Sequence, residues 1–111
     1  SQSYNISERE FLDSVIDLAH LYHWVVAHFR PARTKDGWRT AVAGDGAGFP
    51  DICLVKEGRI IFAELKSATG KILPAQQEWL DALEVTGKCE VYLWRPEEWE
   101  KIVLILGSGA V

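Results

Sequence analysis

Gly48-Phe49-Pro50-Asp51-Ile52-Cys53-Leu54-Val55-Lys56-Glu57-Gly58-Arg59-Ile60-Ile61-Phe62-Ala63-Glu64-Leu65-Lys66 reads as a β-hairpin with charged groups gathered at its open end. Residues 51–55 and 59–66 are rich in β-branched and aromatic side chains, and Glu57-Gly58 between them supplies the glycine of a two-residue turn. The turn sets the register. If Lys56 pairs with Arg59, Asp51 falls opposite Glu64, where cross-strand Cβ atoms lie roughly 4.5–5.5 Å apart. Lys66 then shares the face of Glu64, because side chains alternate along a strand. Cys53, Val55, Ile60 and Phe62 make one face apolar, and Ile52, Leu54, Ile61, Ala63 and Leu65 the other. Such a pattern predicts strands covered on both sides.

Two carboxylates facing each other among apolar side chains are unfavourable, since like charges oppose pairing and burial of a carboxylate costs several kcal/mol unless a partner or a metal offsets it. The arrangement therefore calls for a cation. Mg²⁺ or Mn²⁺ fits, as a hard ion that takes one or two carboxylates and completes its shell with water and phosphate oxygens. Lys66 would then orient the attacking water and stabilise charge on a phosphate, as in a metal-dependent nuclease. An ion pair of Lys66 with Glu64 or Asp51 at a strand end is the purely structural alternative.

The chain has 111 residues, 48% of them hydrophobic, which suits a single domain spanning 1–111. No apolar run approaches the ~20 residues of a membrane span, and the N-terminus lacks the basic and apolar regions of a signal peptide. A soluble, intracellular protein is expected. The two cysteines, Cys53 and Cys89, fall in strands predicted to be buried, so neither a disulfide framework nor a zinc site is indicated. The net charge of −4 argues mildly against nucleic acid. Its distribution argues the other way, because Arg30, Arg33, Lys35 and Arg39 face only Asp36 between positions 30 and 40. That segment is either a track for a phosphate backbone or an ordinary solvated loop.

Ser7 and Glu10 form a capping box for a first helix whose core face is Phe11, Leu12, Val15, Ile16, Ala19 and Tyr22. Glu8 lies on the same stripe, either as a further metal or water contact or as a favourable acid in the first turn. Glu10 has its capping role to explain it. Residues 24–29 read as a strand, and 32–50 as a long glycine-rich loop forming a flap, with Trp38 available to stack on a base or to anchor the loop. Pro74 opens a helix through Gln77, Trp79, Leu80, Leu83 and Val85 that stops at Gly87. Residues 89–94 read as another strand, Pro96 starts a last helix, and Gly107-Ser108-Gly109 reads as frayed. The order α-β-β-β-α-β-α predicts an α/β fold with a mixed sheet flanked by helices.

Other chemistries find less support. His20 and His23 stand three apart without a third zinc ligand at helical spacing. Ser67 lacks a nucleophile elbow. His28 at a strand end is either a phosphate contact or a hydrogen-bonded structural histidine.

At these residues the chain resembles the PD-(D/E)xK nuclease superfamily and, within it, the stand-alone VRR-NUC (virus-type replication and repair nuclease) domains. The likeness runs through Glu8, Gly48-Phe49-Pro50-Asp51, Phe62-Ala63-Glu64-Leu65-Lys66, Leu73-Pro74-Ala75-Gln76-Gln77-Glu78-Trp79-Leu80 and Val91-Tyr92-Leu93-Trp94-Arg95-Pro96. It implies a restriction-endonuclease-like core and a Mg²⁺- or Mn²⁺-dependent phosphodiesterase. Asp51, Glu64 and the Leu65 carbonyl would hold the metal, Lys66 would be the catalytic lysine, and Gln77 and Glu8 would turn toward the site. The resemblance further implies a homodimeric endonuclease of DNA repair in a bacterial or phage-infected cell, acting on branched DNA such as Holliday junctions. The alternatives are a nuclease of linear or single-stranded DNA and a non-catalytic nucleic-acid-binding module.

Overall fold

Ser7 accepts a hydrogen bond from the Glu10 N–H at 3.0 Å while the Glu10 carboxylate accepts from the Ser7 N–H at 3.0 Å, so the expected capping box starts helix α1 (Glu8–Leu21). The chain is described by a computed structural model over residues 5–29, 32–34, 37–39 and 44–108, the two short stretches by their backbone alone. Helix α1 buries Phe11, Leu12, Val15 and Ala19, as its periodicity requires, with Ile16 and Tyr22 packed at the margin.

Four strands form the main sheet in the order β1 (Val25–His28), β4 (Ile52–Lys56), β5 (Arg59–Leu65) and β6 (Glu90–Trp94). The hairpin register is the one expected, with Lys56 opposite Arg59 and Ile52 opposite Ala63. Its turn residues Glu57 (φ 47°) and Gly58 (φ 81°) are both left-handed, the requirement of a two-residue turn that matches strand twist. Strand β1 runs antiparallel to β4, and β6 runs parallel to β5 with Leu65 beside Trp94. Helix α2 (Pro74–Val85) makes the crossover between the two parallel strands.

The core lies on one face of this sheet. Ile52, Leu54, Ile61, Ala63 and Leu65 pack with α1, with Trp24 and Trp94, and with Ile102 and Leu106 of α3 (Trp99–Gly107). The opposite face departs from expectation: Val55 and Ile60 are 42% and 40% exposed, so the described residues cover that face only in part. Among the described residues α2 packs beside β6 and reaches β5 through the Phe49 aromatic cluster rather than spanning the sheet. Cys53 and Cys89 are accordingly half-buried free thiols, and burial pushes the Cys53 thiol up.

Three further departures concern segment boundaries. The stretch read as a flap contains a small hairpin of β2 (Ala32–Thr34) and β3 (Gly37–Arg39), with Arg33 paired to Trp38. Pro96 opens a short 3₁₀ turn (Pro96–Glu98) ahead of α3. Gly107 ends α3, and the Ser108 carbonyl accepts a hydrogen bond from Arg59, so neither residue is frayed. Among the described residues no helix is long and apolar enough to cross a membrane.

Candidate active site

Strand β5 carries its two charged ends on opposite faces, and the end at Glu64 meets the start of β4. Glu64 is 2% exposed and Lys66 8%, which is rare for either residue type. The Lys66 Nζ stands 3.7 Å from Glu64 Oε2. Asp51, just before β4, accepts a hydrogen bond from the Leu65 N–H at 2.8 Å. The hairpin register thus brings Asp51, Glu64, Leu65 and Lys66 together, as the sequence predicts.

Backbone direction adds a donor. The Lys66 N–H donates to the Trp94 carbonyl at 3.0 Å, so Lys66 faces β6. Leu65 therefore faces the Asp51 side, and its carbonyl leaves the strand on the same edge as its N–H. Two carboxylates and this carbonyl form an all-oxygen set of the kind a hard divalent cation takes. Burial, then the charge of Asp51, push the Glu64 carboxyl up to about 8, while Lys66 acts in the opposite sense and Glu8 adds to the rise. Glu64 Oε1 is buried without a hydrogen-bond partner among the described residues. A buried carboxylate oxygen beside a second carboxylate, with no partner among the described residues, is open to a further ligand that would offset its burial.

The segment before Asp51 explains itself once α2 is in place. Gly48 has φ 86°, and a Cβ there would meet the backbone carbon of Ala75 at 2.7 Å. Only glycine lets the chain pass so close to the first turn of α2. Phe49 then sits edge-on to Phe29, Phe62 and Trp79, with centroids 5.5, 5.7 and 4.9 Å away. The Trp79 indole N–H donates to the Asp45 carbonyl at 2.8 Å, and Pro50 is buried. Gly48-Phe49-Pro50 is thus a fastener that fixes the approach of Asp51.

The remaining predicted residues stand apart. Glu8 is exposed at the start of α1 and reaches Glu64 through its field. Among the described residues no three His, Cys, Asp or Glu side chains gather to hold a metal, so Glu8 completes no such trio, and His20 and His23 belong to none. Gln77 is exposed on α2, with its amide donating to Asp81 at 2.8 Å rather than to the carboxylates. Ser67 Oγ is engaged by the Gly70 N–H at 3.0 Å, and His28 lies in β1 opposite Ile52. Arg30 and Lys35 lie outside the described residues, as do the side chains of Arg33, Trp38 and Arg39. A groove of about 450 Å³ runs along α2 beside Asp45, Glu78 and Trp79, away from the carboxylate pair.

The sequence reading missed Arg95. Its guanidinium donates to the Ser67 and Gly70 carbonyls at 2.8 and 2.7 Å, immediately beyond Lys66. The available signal was its place: Arg95 follows a strand that runs parallel to β5, so both strands end at the same edge.

The family model described as the VRR-NUC domain matches residues 26–95. That span runs from β1 through β6 and contains Asp51, Glu64, Lys66 and Gln77, while Glu8 lies before it. No curated protein matches the chain.

Proposed function

The chain belongs to the VRR-NUC family and so carries a nuclease-type fold, and from that premise we propose that it is a divalent-metal-dependent, structure-specific endonuclease of branched DNA such as four-way junctions. The observation that carries the reading is Glu64, a buried carboxyl with one unpartnered oxygen beside Asp51 and 3.7 Å from Lys66. Asp51, Glu64 and the Leu65 carbonyl would hold Mg²⁺ or Mn²⁺. When bound, the ion supplies positive charge against the phosphate oxygens and makes water a better nucleophile near neutral pH.

The chain's own groups supply the rest. Lys66 donates to the phosphate oxygen that gains charge in the transition state, from a site where burial strengthens the interaction. Leu65 holds Asp51 in line through its N–H. Glu8 adds negative field at the same place, and Gln77 contributes once released from Asp81. Arg30, Arg33, Lys35 and Arg39 follow the phosphate backbone. A homodimer suits a four-way junction, because a twofold protein presents two sites for two symmetric cuts.

Cleavage of labelled four-way junction, flap, linear duplex and single-stranded DNA with Mg²⁺, Mn²⁺ or EDTA tests this reading, with Glu64→Ala in parallel. Symmetric metal-dependent cuts near the branch, absent in the variant, are expected. Equal cutting of every DNA would remove the preference for branches. Silence with both metals, together with no Mn²⁺ heat in calorimetry, would leave a binding module.

A further inference from the structure

Strand β5 stops at Leu65, so the ladder holds Lys66 only through its N–H bond to Trp94. Yet the lysine is 8% exposed, and its ammonium is aimed at Glu64. Such a long side chain has several rotatable bonds to fix, and the support comes from the turn that follows. The Gly70 N–H donates to Ser67 Oγ at 3.0 Å and to the Ser67 carbonyl at 3.3 Å, closing a turn over residues 67–70. A Cβ on Gly70 would lie 3.6 Å from Lys66 Cδ. The turn therefore runs alongside the methylene stem of the lysine, within the width of one methyl group.

Arg95 grips this turn at both ends through the Ser67 and Gly70 carbonyls. Its own backbone is fixed in turn. The Arg95 N–H donates to Glu98 Oε1 at 3.0 Å, and its carbonyl accepts from the Glu98 N–H at 2.9 Å. Trp94 before it is buried and registered against Leu65. Among the described residues no carboxylate forms a salt bridge with Arg95, so its hydrogen bonding is directed to the turn.

We infer that Arg95 is a positioning residue for Lys66: it fixes the Ser67–Gly70 turn, which in turn holds the lysine stem so that the ammonium meets the Glu64 carboxylate. The consequence for cleavage rests on the nuclease reading; the positioning itself does not. Misplacing a reacting group by about 1 Å can cost roughly a hundredfold in rate.

The test uses the full chain as wild type, Arg95→Ala, Arg95→Lys and Gly70→Ala. One readout is competitive acetylation of Lys66, followed by mass spectrometry. The other is kcat and KM for the DNA the wild type cuts best in Mn²⁺. In Arg95→Ala, Lys66 acetylation is expected to rise several-fold. Its kcat should fall roughly ten- to a hundredfold with KM unchanged. Millimolar guanidinium, and separately the Arg95→Lys side chain, should restore part of both. Wild-type acetylation in folded Arg95→Ala, or a kcat loss that merely tracks the unfolded fraction, would overturn the inference. If Arg95→Ala does not fold, Gly70→Ala disturbs the same turn with Arg95 in place, because its Cβ would crowd Ser67 Oγ at 3.0 Å, and unchanged Lys66 acetylation there overturns it as well. A wild type that cuts no DNA would defeat the nuclease reading, while acetylation would still decide the role of Arg95.

Discussion

Arg59 and Glu64 stand on one strand, about 17 Å apart by strand rise, and their surroundings are opposite in kind. Arg59 is saturated. Its guanidinium donates twice to Glu90 at 2.7 Å and to the Ile105 and Ser108 carbonyls at 3.2 Å, and it lies 4.9 Å from the centre of the Trp24 ring. Tyr92 donates to the same Glu90 at 2.8 Å. The Arg59 hydrogen bond holds Glu90 below its ordinary range, whereas burial of Glu64 and the charge of Asp51 push Glu64 up to about 8. The charge at the Arg59 end is matched by the chain, while Glu64, the proposed metal ligand, is left short of partners among the described residues. The difference separates architecture from chemistry within a single strand.

The sharpest break of this comparison removes the ammonium at the unmatched end. Lys66→Ala should lose roughly a thousandfold or more in metal-dependent cleavage while its urea midpoint stays near wild type. An active Lys66→Ala protein would remove the role assigned to that lysine. At the matched end, Arg59→Met should do the reverse. It should cost about 2–4 kcal/mol of stability, because Glu90 and two carbonyls lose their donor, and leave kcat of the folded protein unchanged at low temperature.

The pH response sharpens the contrast. Folded Glu64 keeps its proton from the ordinary carboxylate range up to about 8, where the unfolded chain has already released it. Stability in EDTA therefore falls as pH rises through that window. Glu90, with its lowered pKa, contributes in the opposite direction, and its contribution is lost as pH falls through that lowered value. Glu64→Gln should thus stabilise the metal-free protein at pH 9 by on the order of 1–3 kcal/mol and change little at pH 4. Saturating Mn²⁺ should reverse the order, since the wild type alone keeps both carboxylates. Equal denaturation midpoints for the two proteins at pH 9 in EDTA would show that Glu64 is not strained.

The smallest effect compares two left-handed glycines. Gly58→Ala, in open space at the hairpin tip, should cost about 1 kcal/mol from backbone conformation alone. Gly48→Ala adds a clash with Ala75, and should cost about 1–3 kcal/mol more while lowering cleavage through Asp51. Equal losses would show that the loop yields without disturbing the site.

Much of this was legible before any coordinates. The Glu57-Gly58 turn fixed the register, and the register placed Asp51, Glu64, Leu65 and Lys66 at one point, because strand alternation is a local rule that two residues of turn chemistry set. The capping box at Ser7 and the core face of α1 were local in the same sense. The fastening of Gly48 to Ala75, the shelter of Phe49, the Arg95 grip and the Arg59 hub were not legible, since each joins segments distant along the chain. Gln77 is a different case: its partner Asp81 lies only four residues on along α2, a local pairing at helical spacing that the reading left out. That the described residues cover the second face only in part was hidden because an apolar strand reads alike whether or not a helix arrives to cover it.

The sequence by itself determined the pairing of β4 with β5 and which charged residues meet at its open end, through alternation, turn residues and the two carboxylates beside a lysine. Only the tertiary structure decided how deeply Glu64 and Lys66 are buried, which oxygen of Glu64 is left without a partner, and what holds Lys66 in place. Burial and hydrogen-bond satisfaction depend on what the rest of the chain brings alongside, and no window of local sequence contains that information.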